Sequence, residues 1–407
     1  MFVYVLDQHG RPLMPCRPQK ARKLLRASKA RVVSHTPFTI QLRYGSSGYK
    51  QEVVAGMDTG SKKIGCAAVT NGQEIYAAEV ELNNGISKKM KRRAVYRRSR
   101  RGRKTRYRKP RWENRASMRR AGRLAPSIRS KLESHLREKR FVESILPVSR
   151  WVVETANFDI HKITNPNVEG VGYQEGPQKD WYNVKAYVLH RDGYKCQRKE
   201  KGLKHSTTLC VHHIIHRRDE GTNSPNNLVT LCKTCHDALH DGNWELPKRK
   251  PSKTRHATHM GIVQACLKKS GWKFTETFGY LTKLKREYLR LPKSHVNDAI
   301  AICCGEVAMP IVILYKRHVS AGDYQQTKGK RSEVRIPTGK LFGLRKFDLI
   351  RTSKGTGFVK GKRSTGWFAL ADIFNWIISV DVSVKKNCVR LQARTTTLLR
   401  GGASSPP

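Results

Sequence analysis

Acidic residues are scarce in this sequence: 31 Asp and Glu stand against 81 Lys and Arg, for a formal charge of +50 over 407 residues. Self-repulsion on that scale opposes compaction unless counter-charge is supplied, so a chain without a polyanionic partner is excluded and nucleic acid is the natural counterpart. Long apolar runs are missing as well. No stretch approaches the ~20 residues of a spanning helix, and the start lacks a signal peptide's long apolar core, so neither membrane insertion nor secretion is expected. Ten cysteines occur, Cys303 and Cys304 side by side, in no spacing that makes a disulfide framework, which suits a reducing cytosol. The length allows about two to four domains, each with a core.

The densest chemistry lies between Tyr194 and Asp241. A β-prone run, Leu209-Cys210-Val211, ends in His212-His213, and neighbours on a strand point to opposite faces. His212 can therefore hold a metal while His213 faces a substrate water as general base. Asn227 opens a second apolar run that ends in Cys232-Lys-Thr-Cys235 and leads into His236 on an expected helix. This ββα layout returns His236 beside His212 as a second metal ligand, with Asn227 fixing the loop that carries His213. A plain zinc knuckle is the bland alternative, but it requires neither the histidine pair nor the asparagine. The order histidine, asparagine, histidine resembles the HNH endonucleases. An N-terminal Cys-x-x-Cys is broken here, since Lys199 stands where the second cysteine would be. Structural zinc would need Cys196, Cys232, Cys235 and a fourth ligand such as Cys210 or His205.

A second site is spread along the chain. Residues 52–58 form an apolar strand ending in Asp58, followed by Thr59-Gly60-Ser61 and a further strand, Ile64–Val69. Arg150-Trp-Val-Val-Glu154 is another strand ending in an acid. Ser294 caps a helix on which His295 and Asp298 share a face, and Val296, Ile300, Cys303 and Val307 make its apolar stripe. Each acid alone is an ordinary strand end or surface charge. Together Asp58, Glu154 and Asp298, with His295, are a ligand set for two magnesium ions in phosphodiester hydrolysis. A strand ending in Asp and turning through glycine into a hairpin is also how an RNase H-like nuclease presents its first metal ligand.

From Lys88 to Arg123, 19 of 36 residues are Lys or Arg and only Glu113 is acidic. Like charges at helical spacing repel, so the segment is expected to order only along phosphates. Arginine dominance favours bidentate phosphate contact and stacking on unpaired bases. The nucleic-acid contacts expected are Arg92, Arg93, Arg97, Arg98, Arg100, Arg101, Arg103, Arg106, Tyr107, Arg108, Arg111, Trp112, Arg115, Arg119 and Arg120. Ser127 to Ile145 reads as an amphipathic helix through Ile128, Leu132, Leu136 and Val142. Before all this, Phe2–Leu6, Arg31-Val-Val and Phe38–Leu42 read as strands and Lys20 to Ala30 as a basic helix, with a Pro12-Leu13-Met14-Pro15 tetrad between. At the other end, Lys340 to Asp372 alternates like a small β module, and Thr395 to Pro407 reads as an unstructured tail.

A split carboxylate site, an arginine-rich segment after its first acid, an HNH insert before its third, and the Pro-Leu-Met-Pro piece in front resemble IscB, the family of transposon-encoded, RNA-guided endonucleases related to the large CRISPR effectors. The resemblance implies an α/β multidomain protein: an RNase H-like (RuvC) core with an inserted ββα-metal HNH module, an arginine-rich bridge helix and a small β-rich C-terminal domain. The expected segments are 1–50 PLMP N-terminal domain, 51–86 RuvC part I, 87–124 bridge helix, 125–182 RuvC part II and linker, 183–245 HNH, 246–308 RuvC part III, and 309–407 target-interaction domain and tail. It implies a monomeric ribonucleoprotein in a prokaryotic cytoplasm, holding a guide RNA and double-stranded target DNA. HNH, with one Mg2+, would cut the guide-paired strand; RuvC, with two, would cut the displaced one. Two other readings use the same residues: a guide-independent homing or junction-resolving nuclease, and a non-catalytic RNA binder. A charged strip that orders on binding argues against base readout, and intact acids at 58, 154 and 298 argue against a dead site.

Overall fold

The computed structural model describes residues 2–101, 122–155, 183–200, 202–216, 219, 221, 223–246, 254–303, 312–326, 333–337, 339–383 and 388–401. The chain opens with β1 (Val3–Leu6), β2 (Pro12–Cys16), α1 (Pro18–Arg26), β3 (Ala30–His35) and β4 (Phe38–Leu42), in a sheet ordered β2-β1-β4-β3. Asp7 closes the first hairpin by accepting from the backbone N–H of His9 and Arg11, both at 2.8 Å. The proline tetrad sits on β2, at the sheet edge, where missing N–H donors cost little. The helix starts earlier and stops earlier than Lys20 to Ala30. Pro18 pre-sets its first turn, and Ser28 at φ 55° turns the chain so that Ala30 can open β3. Val3, Val5, Ala21, Ala30, Ile40 and Leu42 form the core of this piece.

Next come β5 (Val54–Asp58), β6 (Lys63–Thr70) and β7 (Gln73–Glu81), an antiparallel meander, then α2 (Ile86–Arg101), α3 (Pro126–Ile145) and β8 (Arg150–Glu154), which pairs parallel to β5. α2 corrects the expectation of order only on phosphates. Arg, Lys, Met and Ala have strong intrinsic helix preference, and Lys89 and Tyr96 tie α2 to Ser320 and Gln326. Residues 102–121 of the basic segment lie outside the described residues.

Residues 157–258 make a separate compact unit holding α4 (Val184–Arg191), β9 (Leu209–His213), β10 (Leu228–Cys232) and α5 (Lys233–His240), with β9 and β10 antiparallel. The first unit resumes at His259, within α6 (Thr254–Lys269), and continues through β11 (Thr275–Thr277), α7 (Gly279–Tyr288), α8 (His295–Cys303) and β12 (Leu314–His318). β13 (Leu349–Thr352), β14 (Gly355–Lys362), β15 (Trp367–Ala371), β16 (Ile377–Ser383) and β17 (Val389–Gln392) form an antiparallel sheet ordered β16-β15-β14-β13-β17 around Ile350, Val359, Phe368 and Leu370. β18 (Thr397–Gly401) pairs with β12. It corrects the expectation of an unstructured tail for residues 397–401, where Leu398 is buried and the strand extends the main sheet; residues 402–407 lie outside the described residues. β12 and β18 also move residues 314–318 and 397–401 out of the C-terminal β module and into that sheet.

The main sheet runs β11-β8-β5-β6-β7-β12-β18. One face packs on α3 and α6 through Val142, Ile145, Val263 and Leu267, and the other on α8 through Val296, Ala299 and Ile300. Coverage on both faces explains why β6 reads as an unbroken apolar run. α8 lies so close that a Cβ on Gly65 would fall 1.6 Å from the His295 carbonyl oxygen, and one on Gly56 would fall 2.7 Å from that of Ala299.

Behind the sheet, Lys316 donates to both Glu138 oxygens at 2.8 Å and to the Tyr76 hydroxyl at 2.6 Å, tying β12 to α3 and β7 in a fully buried network. His135 and His318 lie in the same layer. Burial holds their imidazoles down to about 4 and about 3, and among the described residues neither His318 nitrogen has a hydrogen-bond partner. The folded state thus binds fewer protons than the unfolded one. Stability is full above the ordinary imidazole value of about 6.5 and falls as pH drops from there toward the folded values, by about 2 kcal/mol per histidine at pH 5. Denaturant unfolding at pH 7 and pH 5 is expected to show this loss, and His318→Leu is expected to flatten it; an unchanged pH slope in the variant contradicts the assignment.

Candidate functional site

Two chemical centres can be built upward from these elements, one in each unit. In the first unit, β5 and β8 run parallel in a register that makes Asp58 and Glu154 direct neighbours at the strand ends. Thr59 locks the junction by donating to the Glu154 carbonyl at 2.8 Å. Ser294 opens α8, its hydroxyl accepting from Asn297 N–H at 3.1 Å, and so fixes the turn that carries His295 and Asp298. His295 Nδ1 then lies 2.6 Å from Asp58 Oδ2.

The electrostatics of this corner are self-neutralising. Asp298 Oδ1 lies 2.8 Å from Arg286 Nε, an ion pair rather than an aligned hydrogen bond, and Oδ2 lies 3.0 Å from Lys293 Nζ. The hydrogen bond to Asp58 raises the His295 pKa against the pull of burial, and the nearby Asp58, Glu79 and Asp298 charges add to it. Burial raises the Glu154 carboxyl, as do Asp58 and Asp298, while a hydrogen bond with Thr282 and the Lys293 charge hold it back. Asp58, Glu154 and Asp298 thus share the corner with His295, Arg286 and Lys293. The four residues singled out from sequence share one corner, but their ligand atoms are not gathered as tightly as those described next. Arg286 and Lys293 carried no signal in the sequence beyond being two more basic residues.

In the 157–258 unit, β9 turns His212 inward and His213 outward. His212, His236 and His240 each present a ring nitrogen within 4.8 Å of the others. The His212 ring is 5.2 Å from that of His216 as well. Burial, and after it the neighbouring imidazoles, hold His212 down to about 4, so at neutral pH its ring is unprotonated and could bind a metal. His240 and His216 were missed in the sequence. The signal for His240 was its spacing, one helical turn after His236 on α5. His213 Nε2 lies 2.9 Å from Asn223 Oδ1. Asn227 is buried, accepts from Ile215 N–H at 2.9 Å and donates to the Ile215 carbonyl at 3.0 Å, closing the loop after the histidine pair.

Beside this trio, Cys196, His205, Cys232 and Cys235 each bring one ligand atom within 4.8 Å of the others. His205 Nδ1 is 3.5 Å from the Cys232 sulfur and 3.6 Å from that of Cys235, while Cys210 pairs along β9 outside the group. Against the upward pull of burial, the Cys235 N–H and the His205 ring hold the Cys232 thiol down to about 6; burial and the adjoining Cys232 and Cys196 sulfurs push Cys235 up to about 12. Soft sulfur donors with an imidazole fit zinc. α5 carries Cys235 into this group and His236 and His240 into the other.

In the basic segment, Arg93, Arg97 and Arg98 are exposed on α2 and Arg92 is half-buried; Arg100 and Arg101 end the helix. Arg103, Arg106, Tyr107, Arg108, Arg111, Trp112, Arg115, Arg119 and Arg120 lie outside the described residues. Native mass spectrometry of the purified chain is expected to find a zinc ion that Cys232→Ser or His205→Ala removes, with easier unfolding of the 157–258 unit; a zinc content unchanged by either substitution contradicts the four-ligand group.

The family model described as RRXRR protein matches residues 3–176, and the one described as HNH endonuclease matches residues 195–242. No curated protein matches the chain. The chain therefore carries an RRXRR domain and an HNH endonuclease domain, and the second contains both the imidazole trio and the four-ligand sulfur group.

Proposed function

We propose that this protein is an RNA-guided DNA endonuclease of the IscB type, in which the HNH domain cuts the guide-paired strand and a RuvC-like carboxylate site cuts the displaced strand. The observation that carries the reading is the pairing of two chemically distinct centres in one chain: Asp58, Glu154, His295 and Asp298 at one corner of the main sheet, and the histidine group of the HNH domain. Support for an RNase H-like core comes from the sheet, in which an antiparallel meander, β5 to β7, is continued beyond β5 by two parallel strands, β8 and β11.

In the HNH domain, His213 takes a proton from the attacking water at a ring nitrogen, with Asn223 fixing the ring and Asn227 the loop behind it. His212, His236 and His240 would hold the metal. Three imidazoles are a poor magnesium set and suit a transition ion better, which revises the magnesium expected there from sequence. In the RuvC-like site, Asp58, Glu154 and Asp298 would hold magnesium: oxygen donors suit it, and burial first, then the nearby Asp58 and Asp298 charges, raise the Glu154 pKa. Divalent ions in these sites supply water activation and charge stabilisation on the phosphate. His295 orients Asp58, and Lys293, three-quarters exposed, can swing away from Asp298. The exposed arginines of α2 would contact the guide backbone, within a monomeric ribonucleoprotein in a prokaryotic cytoplasm. Among the described residues, no helix is long and apolar enough to cross a membrane.

Purifying the protein from producing cells and sequencing the RNA that accompanies it is expected to return one discrete structured species; its absence contradicts guidance. With that RNA and a matching duplex, His213→Ala is expected to slow cutting of the paired strand by about 10²–10⁴ and leave the displaced strand cut. Asp58→Ala is expected to do the reverse. Loss of both activities from either change contradicts two independent sites.

A further inference from the structure

Beside the carboxylate corner lies a surface that none of this chemistry uses. On α7, Thr282 and Arg286 are buried toward the acids. On the opposite side of the same helix, Tyr280, Leu284 and Tyr288 recur at every fourth position and are exposed at 65%, 60% and 79%. Large side chains this open, in line, on a helix otherwise tied into the core, form a patch of the kind that marks an interaction surface. The stripe does not stand alone. Phe278, 40% exposed, lies at the start of α7 with its ring parallel to that of Tyr280 within 5°. The same end of α7 touches the acids, since a Cβ on Gly279 would sit 3.2 Å from Glu154 Oε1. The aromatic track therefore begins at Glu154 and runs outward.

Charge selects the occupant. Lys283, Lys285, Arg290 and Lys293 accompany the stripe, and the lone acid of α7, Glu287, is already paired with Lys283 at 3.7 Å. Rings interleaved with cations are the chemistry that holds a single nucleic-acid strand, with bases stacked on the rings and phosphates on the cations. Duplex bases are already stacked and cannot use such rings. From Tyr280 to Tyr288 the helix rises about 12 Å, room for roughly three or four nucleotides at about 3.4 Å each.

We propose that α7 is a stacking track for single-stranded DNA, with Tyr280 and Tyr288 as positioning residues that lead an unpaired strand to the carboxylate corner. This rests on the reading of that corner as the site that cuts the displaced strand. The test is binding of the purified full-length protein to fluorescein-labelled dT12 by anisotropy in calcium buffer over a range of KCl concentrations, compared with an abasic strand of equal length and a 12-base-pair duplex. Tyr280→Ala/Tyr288→Ala is expected to weaken dT12 binding tenfold or more. Its salt slope should stay unchanged, because no phosphate contact is removed, and affinity for the abasic strand and the duplex should stay as in wild type. Tyr280→Trp/Tyr288→Trp is expected to restore dT12 binding. Equal loss on the abasic strand, no loss on dT12, failure of the tryptophan variant to rescue, or a tenfold preference for rU12 over dT12 overturns the proposal. The assay reads no cleavage, so it can succeed even if Asp58→Ala leaves cutting intact, and the two failures stay distinguishable.

Discussion

The parallel register of β5 and β8 is the constraint on which the carboxylate corner depends. It sets Asp58 beside Glu154, an arrangement of like charges that a sheet disfavours, and a slip of one residue would send one acid to the opposite face. What holds the register is apolar: Ala55 and Met57 on one strand, Trp151 and Val153 on the other, all sunk in the core. Partners come from elements distant in sequence: His295 of α8 bonds Asp58, while Arg286 of α7 and Lys293 of the loop after it pair with Asp298, and the Lys293 charge also acts on Glu154. α8 reaches the site because Gly56 and Gly65 carry no side chain where its backbone crosses the sheet. Two glycines thus decide whether Asp298 and His295 can meet Asp58 at all.

The 157–258 unit solves a similar problem with different materials. It has little apolar core; Val188, Leu228 and Leu231 are its deeply buried aliphatics among the described residues. A small unit of this kind gains from a bound ion, because a metal tie offsets the chain entropy that a thin core cannot. α5 is the shared part: Cys235 belongs to the sulfur group, and His236 and His240, one turn apart, belong to the group around His212. Holding Cys232 and Cys235 therefore also holds His236 and His240, so the sulfur group and the histidine group are one mechanical unit.

Much of this was legible along the chain because the informative residues end or open elements. Asp58 and Glu154 each close an apolar run, and the histidine pair closes another, so alternation and run length located them. His240 was hidden because α5 is short and its His-Asp-Ala-Leu-His spacing looks like any solvated turn. β7 was not anticipated, although it lies inside the sheet between β6 and β12: Gln73–Glu81 mixes three glutamates into its run, and Glu74 is buried with its carboxyl pushed up to about 7 by burial. The partners of Asp298 were illegible for another reason. Among 81 basic residues, nothing local marks Arg286 or Lys293 as the two that fold back onto an acid. β18 was overlooked because an edge strand of Thr-Leu-Leu-Arg-Gly becomes a strand only when β12 is beside it.

Cutting of the displaced strand requires the acid corner to be a metal site rather than a closed knot of ion pairs. Crystals of the protein soaked in manganese and measured at the manganese edge test this directly. Anomalous density is expected among the carboxylates of Asp58, Glu154 and Asp298, with Lys293 withdrawn from Asp298. Lys293 and Arg286 still seated on Asp298 with no manganese peak between the acids, at a concentration that loads the histidine trio, would contradict it.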